Sequence, residues 1–283
     1  MNPFTNILSF DIEEWFHPEI FSGKFPREQW HQLESRVEAS TEIILTFLSK
    51  KNLKATFFFL GWVAERYPHL VTSAAQEGHE IASHGYGHTM ITKMQPEEFR
   101  ADLQRSLQIL NSLSTEPVVG YRAPTFSVTN ATLWALPIMI EEGIRYDSSV
   151  FPIYHDRYGI PDAPRLPYRI YQSNQDTLTE YPMTTTTFGK YNLPCSGGGY
   201  FRLFPFTLTK TLMRKCQKEK RPIIFYAHPW EFDTGLPQIN LGLLGKIRHY
   251  KGINKFLKRL DIITDLYPFT SFQAAFPKKN AYV

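Results

Sequence analysis

The chain has 283 residues, 42% hydrophobic and 20% charged, which fits a globular protein with a sizeable core and excludes disorder. Lys and Arg number 31 against 27 Asp and Glu, a formal charge of +4. The positives are scattered except near the C-terminus, which argues against a dedicated nucleic-acid protein.

Ile7 to Phe10 is predicted as a short strand ending in Asp11. Val37, Ile44, Leu45 and Leu48 recur at helical spacing between about Glu34 and Lys50. Ala55 to Leu60, with three consecutive Phe, is a buried-strand run. Pro68 opens a helix that Gly78 ends. Glu80 to Ser83 is a short strand, and Pro96 opens a helix whose buried face is Phe99, Leu103, Leu107 and Leu110. Val118 to Tyr121 is a strand, Asn130 can cap a helix reaching Glu142, and Ile144 to Tyr146 is another strand. Five strand–helix units before residue 150 imply parallel strands joined by crossovers, in a barrel or a doubly wound sheet. Residues 151–206 are rich in Pro, Gly, Tyr and Thr, with β-like pieces such as Thr179 to Thr187, and read as an elaboration on the barrel. The rhythm then returns as Thr207 to Lys220 (helix), Pro222 to Ala227 (strand), Gly252 to Leu266 (helix) and Phe269 to Phe272 (strand).

Polar clusters follow the apolar runs. Asp11, Glu13 and Glu14 follow the first strand, His84 and His88 the third, Arg122 the fourth, Asp147 the fifth, and His228 the strand Ile223 to Ala227. In a parallel barrel these C-terminal ends converge on one face, where barrel active sites lie. His84 and His88 are four apart, a spacing that brings both imidazoles to one metal ion. Asp11 and Glu13 are two apart and face one side of a strand. Two His and one carboxylate leave an open position, the pattern of a catalytic zinc site. Arg122 can hold a carboxylate such as Asp11 ionised, with a structural ion pair as the competing role. Asp147 can orient His228 by the logic of catalytic triads.

Cys195 and Cys216 are too few for a disulfide framework and read as two thiols. Met1 to Phe10 lacks a basic start and a long apolar run, so the expected location is cytoplasmic, with membrane association possible through the substrate. No window approaches the roughly 20 apolar residues that span a bilayer.

The motifs Ser9-Phe10-Asp11-Ile12-Glu13-Glu14-Trp15, Ser83-His84-Gly85-Tyr86-Gly87-His88, Gly120-Tyr121-Arg122-Ala123-Pro124, Tyr146-Asp147-Ser148-Ser149 and Ala227-His228-Pro229-Trp230 resemble the five ordered motifs of the polysaccharide deacetylases, carbohydrate esterase family four. The resemblance is strongest to the bacterial branch of exopolysaccharide and exosortase-associated gene clusters. That branch shares His155-Asp156-Arg157-Tyr158-Gly159, Gly197-Gly198-Gly199-Tyr200 and His228-Pro229-Trp230-Glu231-Phe232. The resemblance implies an α/β fold: a distorted barrel of about seven parallel strands, here one catalytic domain over 1–283 with an elaboration at about 151–206 and a C-terminal extension at about 231–283. It implies a divalent metal, zinc before cobalt or nickel, and hydrolysis of N-acetyl groups on a sugar, oligosaccharide or lipid-linked glycan.

Carried over by position, Asp11 is the general base, His84 and His88 are metal ligands, Arg122 supports the base, and Asp147 orients His228, the general acid. Three departures stand out. The first motif commonly has two adjacent Asp, whereas Ile12 follows Asp11, so the metal carboxylate is Glu13 or Glu14. Strand parity favours Glu13, and Glu14 enters if the strand ends at Asp11. The third motif usually has an aromatic after Pro, whereas Thr125 stands there, leaving the oxyanion contact to the Thr125 backbone N–H and the aromatic contact to Phe126. The fifth motif has Pro229 after its His. Aromatics are 15% of the chain and can stack on sugar rings. Trp15, Tyr86, Phe126, Tyr200 and Trp230 flank motif residues and are candidates for that role, with core packing as the alternative for each. A metal-free amidohydrolase of the same fold on a non-sugar amide, or a non-catalytic glycan-binding barrel, are the competing functions. Intact His84 and His88 argue against the first, and intact Asp11 and His228 against the second.

Overall fold

The computed structural model describes residues 5–276 apart from 174, 175 and 190. The last part of the expected C-terminal extension, 277–283, lies outside the described residues, as do residues 1–4. The strands are β1 (Asn6–Ile12), β2 (Thr56–Phe59), β3 (Glu80–Ser83), β4 (Gly120–Tyr121), β5 (Tyr146–Asp147), β6 (Tyr168–Gln172), β7 (Thr177–Glu180), β8 (Thr185–Phe188), β9 (Tyr191–Pro194), β10 (Ile224–Ala227) and β11 (Phe269–Thr270).

One sheet runs in the order β10, β1, β2, β3, β4, β5, β7, β6, with β11 paired to the start of β1. The seven strands from β10 to β7 pair in parallel throughout, and β6 is antiparallel to β7. The expected α/β barrel of about seven parallel strands is what the chain forms, and β7, inside the segment read as an elaboration, supplies one of the seven. Among the described residues no ladder joins β7 to β10. The seam is crossed instead by Thr184, whose Oγ1 accepts from Ile224 N–H at 2.6 Å and donates to Pro222 O at 3.3 Å.

The parity of β1 and β2 explains the layers. Every residue of β1 is buried, as expected for a parallel strand covered on both faces. Leu8, Phe10 and Ile12 pack with Phe57, Phe59 and the crossover helices. Ile7 and Phe58 point into the barrel with Ala82, Tyr146, Ile224 and Tyr226. Ser9 and Asp11 share the parity of Ile7 and so point inward too. The short helix Phe272–Ala275 closes the N-terminal end, with Phe272 N–H bonded to Thr56 Oγ1 and Gln273 N–H to Glu80 Oε2.

Several element boundaries differ from those expected on sequence. β1 continues through Asp11 to Ile12 because Asp11 and Ile12 still pair with β2. The helix expected from Asn130 starts only at Ala135, since Thr132 first closes a turn on Ser127 and Thr129. The chain also forms a helix at Gly242–Tyr250, whose second half falls in the basic stretch Lys246 to Lys258 that reads on sequence as a solvated helix face. The two thiols are buried with Sγ atoms 3.4 Å apart. No helix among the described residues is long and apolar enough to cross a membrane.

Candidate active site and metal centre

The C-terminal ends of the parallel strands open into a pocket of about 500 Å³. Its lining includes Asp11, Glu13, His84, His88, Thr125, Phe126, Tyr200, His228 and Trp230. Asp11 and Glu13, His84 and His88, Thr125 and Phe126, and His228 and Trp230 meet there because each pair lies at or beyond the C-terminal end of its barrel strand.

Ligand atoms of Glu13, His84 and His88 all lie within 4.8 Å of one another, and all three side chains are buried. His84 Nδ1 donates to Arg122 O at 2.8 Å, which leaves its Nε2 lone pair free. Burial, with His88 adding to it, pushes the His84 ring down to about 4, so it is neutral and able to ligate. Glu13 Oε2 lies 2.5 Å from His88 Nε2 and has no other partner among the described residues, while Glu13 Oε1 accepts from Trp230 Nε1 at 3.2 Å. Burial raises the Glu13 carboxyl, but His88, His228 and His84 outweigh it and hold Glu13 well below the usual range. A buried carboxylate oxygen set against the His88 ring, beside the free Nε2 of His84, fits a divalent cation.

Glu14 is not part of this cluster. Its Oε1 accepts from Ser35 Oγ and its Oε2 from Arg36 N–H at 3.1 Å, beside the start of the helix Val37–Lys51. His17 stacks on His88, but its Nδ1 accepts Glu14 N–H, so in the neutral ring Nε2 carries the proton and offers no lone pair.

Asp11 is held from inside the barrel. Arg122, fully buried over the ring of Phe58, donates to Asp11 Oδ1 at 2.7 Å and to Ser9 Oγ at 2.9 Å from one nitrogen. Its Nε and the other terminal nitrogen bond Ser148 O and Oγ, both at 3.1 Å. That fork fixes one oxygen of Asp11 and turns the other towards His228, whose Nε2 is 4.0 Å away.

The structure corrects the expected role of Asp147. Its carboxylate accepts from Ser149 Oγ and lies against Glu180 on β7, its cross-strand neighbour. Burial pushes both the Asp147 and the Glu180 carboxyls up, and the Asp147 charge adds to the rise at Glu180. Ser149 Oγ in turn accepts Ala123 N–H at 2.7 Å. Asp147 therefore braces the segment that ends in Thr125, and does not touch His228.

The group that orients His228 is Glu231, to which the sequence pattern assigns no role. His228 Nδ1 donates to Glu231 Oε2 at 3.2 Å, and the other carboxylate oxygen accepts from Arg202 Nε at 2.6 Å. Arg202 spends its remaining donors on the carbonyls of Arg248, His249 and Lys251. Burial lowers the His228 ring, but Glu231, Glu13 and Asp11 overcome it and raise it to about 9. Burial raises Glu231, and Arg202 with His228 more than offsets it, leaving Glu231 ionised. The signal was an acid three residues after His228, on a short 3-10 turn where i and i+3 face each other.

The expected aromatic contacts divide. Phe126 and Tyr200 line the pocket, together with Tyr158, His155 and Arg157 of the Pro- and Tyr-rich segment. Thr125 and Phe126 both hold positive φ, 57° and 52°, a strained pair in the pocket wall. Trp230 lies parallel between His228 and His249, with centroids 5.0 and 4.6 Å away, so it positions His228 and Glu13. Trp15 is not in the pocket: its Nε1 donates to Glu34 O and its ring packs among Phe16, Phe21 and Phe25. Tyr86 turns the other way too, donating to Glu65 beneath Arg105. Gly197 and Gly198, both at positive φ, lie where a Cβ would come within 2.4 and 2.7 Å of Tyr226, a close approach that only Gly allows.

Residues 30–138 match the polysaccharide deacetylase family, and residues 148–277 match a domain family of unknown function, DUF3473. The chain is 42% identical over 86 residues to a Bacillus cereus peptidoglycan-N-acetylglucosamine deacetylase, covering 30% of this chain and 29% of that protein. It is 28% identical over 120 residues to a Helicobacter pylori peptidoglycan deacetylase, covering 41% and 40%. The chain thus spans less than half the length of these curated relatives. In fold it is similar to a polysaccharide deacetylase-type protein of Mycobacterium smegmatis, with TM-score 0.60, 18% identity, and 95% and 86% of the two chains covered. An allantoinase is equally similar, with TM-score 0.61, 15% identity, and 99% and 92% covered.

Proposed function

Since residues 30–138 belong to the polysaccharide deacetylase family, we propose that the chain is a metal-dependent hydrolase of N-acetylated sugars. Acetate and a free amine are its products. The observation that carries this is the Glu13, His84 and His88 cluster on the floor of a pocket that also holds Asp11 and His228.

Glu13, His84 and His88 would hold the metal, which supplies Lewis acidity for the acetyl carbonyl and lowers the pKa of water. Zinc is the proposed metal, and the same donors accept cobalt or nickel. Asp11 takes the proton of the attacking water on the oxygen that Arg122 leaves free. The Thr125 N–H faces the developing oxyanion from the strained wall. His228, kept protonated by Glu231, gives its Nε2 proton to the leaving nitrogen, since an amide anion is too basic to depart alone. The same groups would cleave an acetyl ester. Pocket aromatics Phe126, Tyr158 and Tyr200 suit the faces of a pyranose. Because His155, Arg157, Tyr158 and Tyr200 belong to the motifs shared with the exopolysaccharide branch, an N-acetylated exopolysaccharide or its precursor is the proposed substrate class.

Incubation of the zinc-loaded protein with N-acetylglucosamine oligomers tests this by enzymatic acetate assay. Acetate with matching free amine supports it. A zinc-replete protein that releases none from oligomers, polymers or acetyl esters refutes it.

A further inference from the structure

The helix Gly242–Tyr250 supports the site from its inner side, through Arg248 and His249, while its outer face is used by none of these contacts. Its inner side is marked by His249, set between Trp230 and Phe21 with centroids 4.6 and 4.8 Å away, and by Gly245 one turn earlier, next to Ile20. At 100° per residue Leu243 and Ile247 then face away from the protein, with Leu244 beside them. Leu243 is 76% exposed and Leu244 71%. Lys246 flanks this stripe on one side and Arg248 on the other, both exposed. Tyr154, 79% exposed, immediately precedes His155, which with Arg157 and Arg248 lines the active pocket.

We propose that the outer face of this helix, with Tyr154, docks on a lipid bilayer bearing anionic headgroups and so sets the pocket mouth against that surface. An apolar stripe between cations is how helices lie in a membrane interface. The charge pattern selects the anionic bilayer. Between Asp233 and Asp261 the chain has no acidic residue, and it carries the exposed Lys246, Arg248, Lys251, Lys255 and Lys258. Basic residues near a surface gain from anionic lipids, and exposed leucines gain from hydrocarbon without needing a complementary groove. A glycan attached to or lying on that surface would reach the pocket past Arg248.

Co-sedimentation of the full chain with vesicles tests the proposal without reference to turnover, so its failure leaves the hydrolase reading standing. Vesicles of phosphatidylcholine alone are compared with vesicles that also contain phosphatidylglycerol. The wild type should bind the mixed vesicles about tenfold better than the neutral ones, and raised salt should weaken binding. The double variant Leu243→Ser, Leu244→Ser should lose about tenfold in binding yet release acetate from soluble oligomers as the wild type does. Lys246→Glu should weaken binding independently, which keeps the test open if the leucine pair fails to fold. Absence of binding to either vesicle overturns the proposal, as does undiminished binding by both variants. So does a wild type that is dimeric by sedimentation velocity, a monomeric leucine variant and no vesicle binding, a set that would assign the stripe to a second copy of the chain.

Discussion

Asp11 and His228 stand 4.0 Å apart, the first gripped by Arg122 and the second by Glu231. Glu231 favours the imidazolium. Asp11→Asn keeps the hydrogen bond to Arg122 while removing the base, so kcat should fall by about 10²–10⁴-fold with metal content unchanged. Turnover near the wild-type level in a correctly metallated Asp11→Asn protein would remove Asp11 as base. His228 donates a proton, so it acts below its pKa, which lies near 9. Activity should therefore be lost as pH rises through that region. Glu231→Gln removes the group that raises the pKa, and the alkaline limb of the kcat profile should move to lower pH. An unmoved limb would show that Glu231 does not tune His228. Sequence alone made the strand-end residues Asp11, His84, Arg122 and His228 visible, because a polar group at the end of a buried strand is costly unless a partner or a ligand meets it. Glu231 escaped because one acid in a short turn looks like ordinary capping. Its guanidinium partner Arg202 lies 29 residues earlier in the chain. Trp15 and Tyr86 depart from the expected sugar contact because adjacency to a motif does not fix direction once the strand has ended.

Among the elements, the short helix Gly198–Leu203 links the pocket wall to the acid. It begins where Gly197 passes Tyr226, presents Tyr200 to the pocket, and places Arg202 on Glu231. A Cβ on Gly197 would meet the Tyr226 backbone oxygen at 2.4 Å and its nitrogen at 2.8 Å, at a φ of +80°. Gly197→Ala should therefore cost about 1–3 kcal/mol of stability, read as a lowered urea midpoint, and should also reduce kcat through Arg202. A midpoint equal to wild type would mean that this approach is not tight in solution. The strands were readable as apolar runs, and β3 matches its expected span from Glu80 to Ser83. Of the helix Gly242–Tyr250 only the basic end from Lys246 was readable, as a solvated helix face, because two Gly and two outward Leu in nine residues reverse the pattern of a core-facing helix.

At the level of the whole molecule the site belongs to two halves of the chain. Glu13, His84 and His88 come from the first half, while His228, Tyr200 and Arg202 come from the second, and β10 beside β1 locks them into one sheet. The barrel fold followed from alternating strands and helices, but not its seam, where the side chains of Thr184, Ser196 and Arg221 bond backbone atoms in place of a ladder between β7 and β10. Thr184→Val keeps the shape but leaves the buried Ile224 N–H without an acceptor. It should destabilise by about 1–3 kcal/mol with little effect on KM. An unchanged unfolding midpoint would show that the seam is held elsewhere. The proposed chemistry depends on a metal held by Glu13, His84 and His88. Metal content of the purified protein after zinc loading and desalting, beside His84→Ala, His88→Ala, tests that dependence. About one zinc per chain is expected, at an open three-ligand site, and its loss in the double variant. A wild-type protein that retains no metal, or a double variant that retains as much as the wild type, would contradict it.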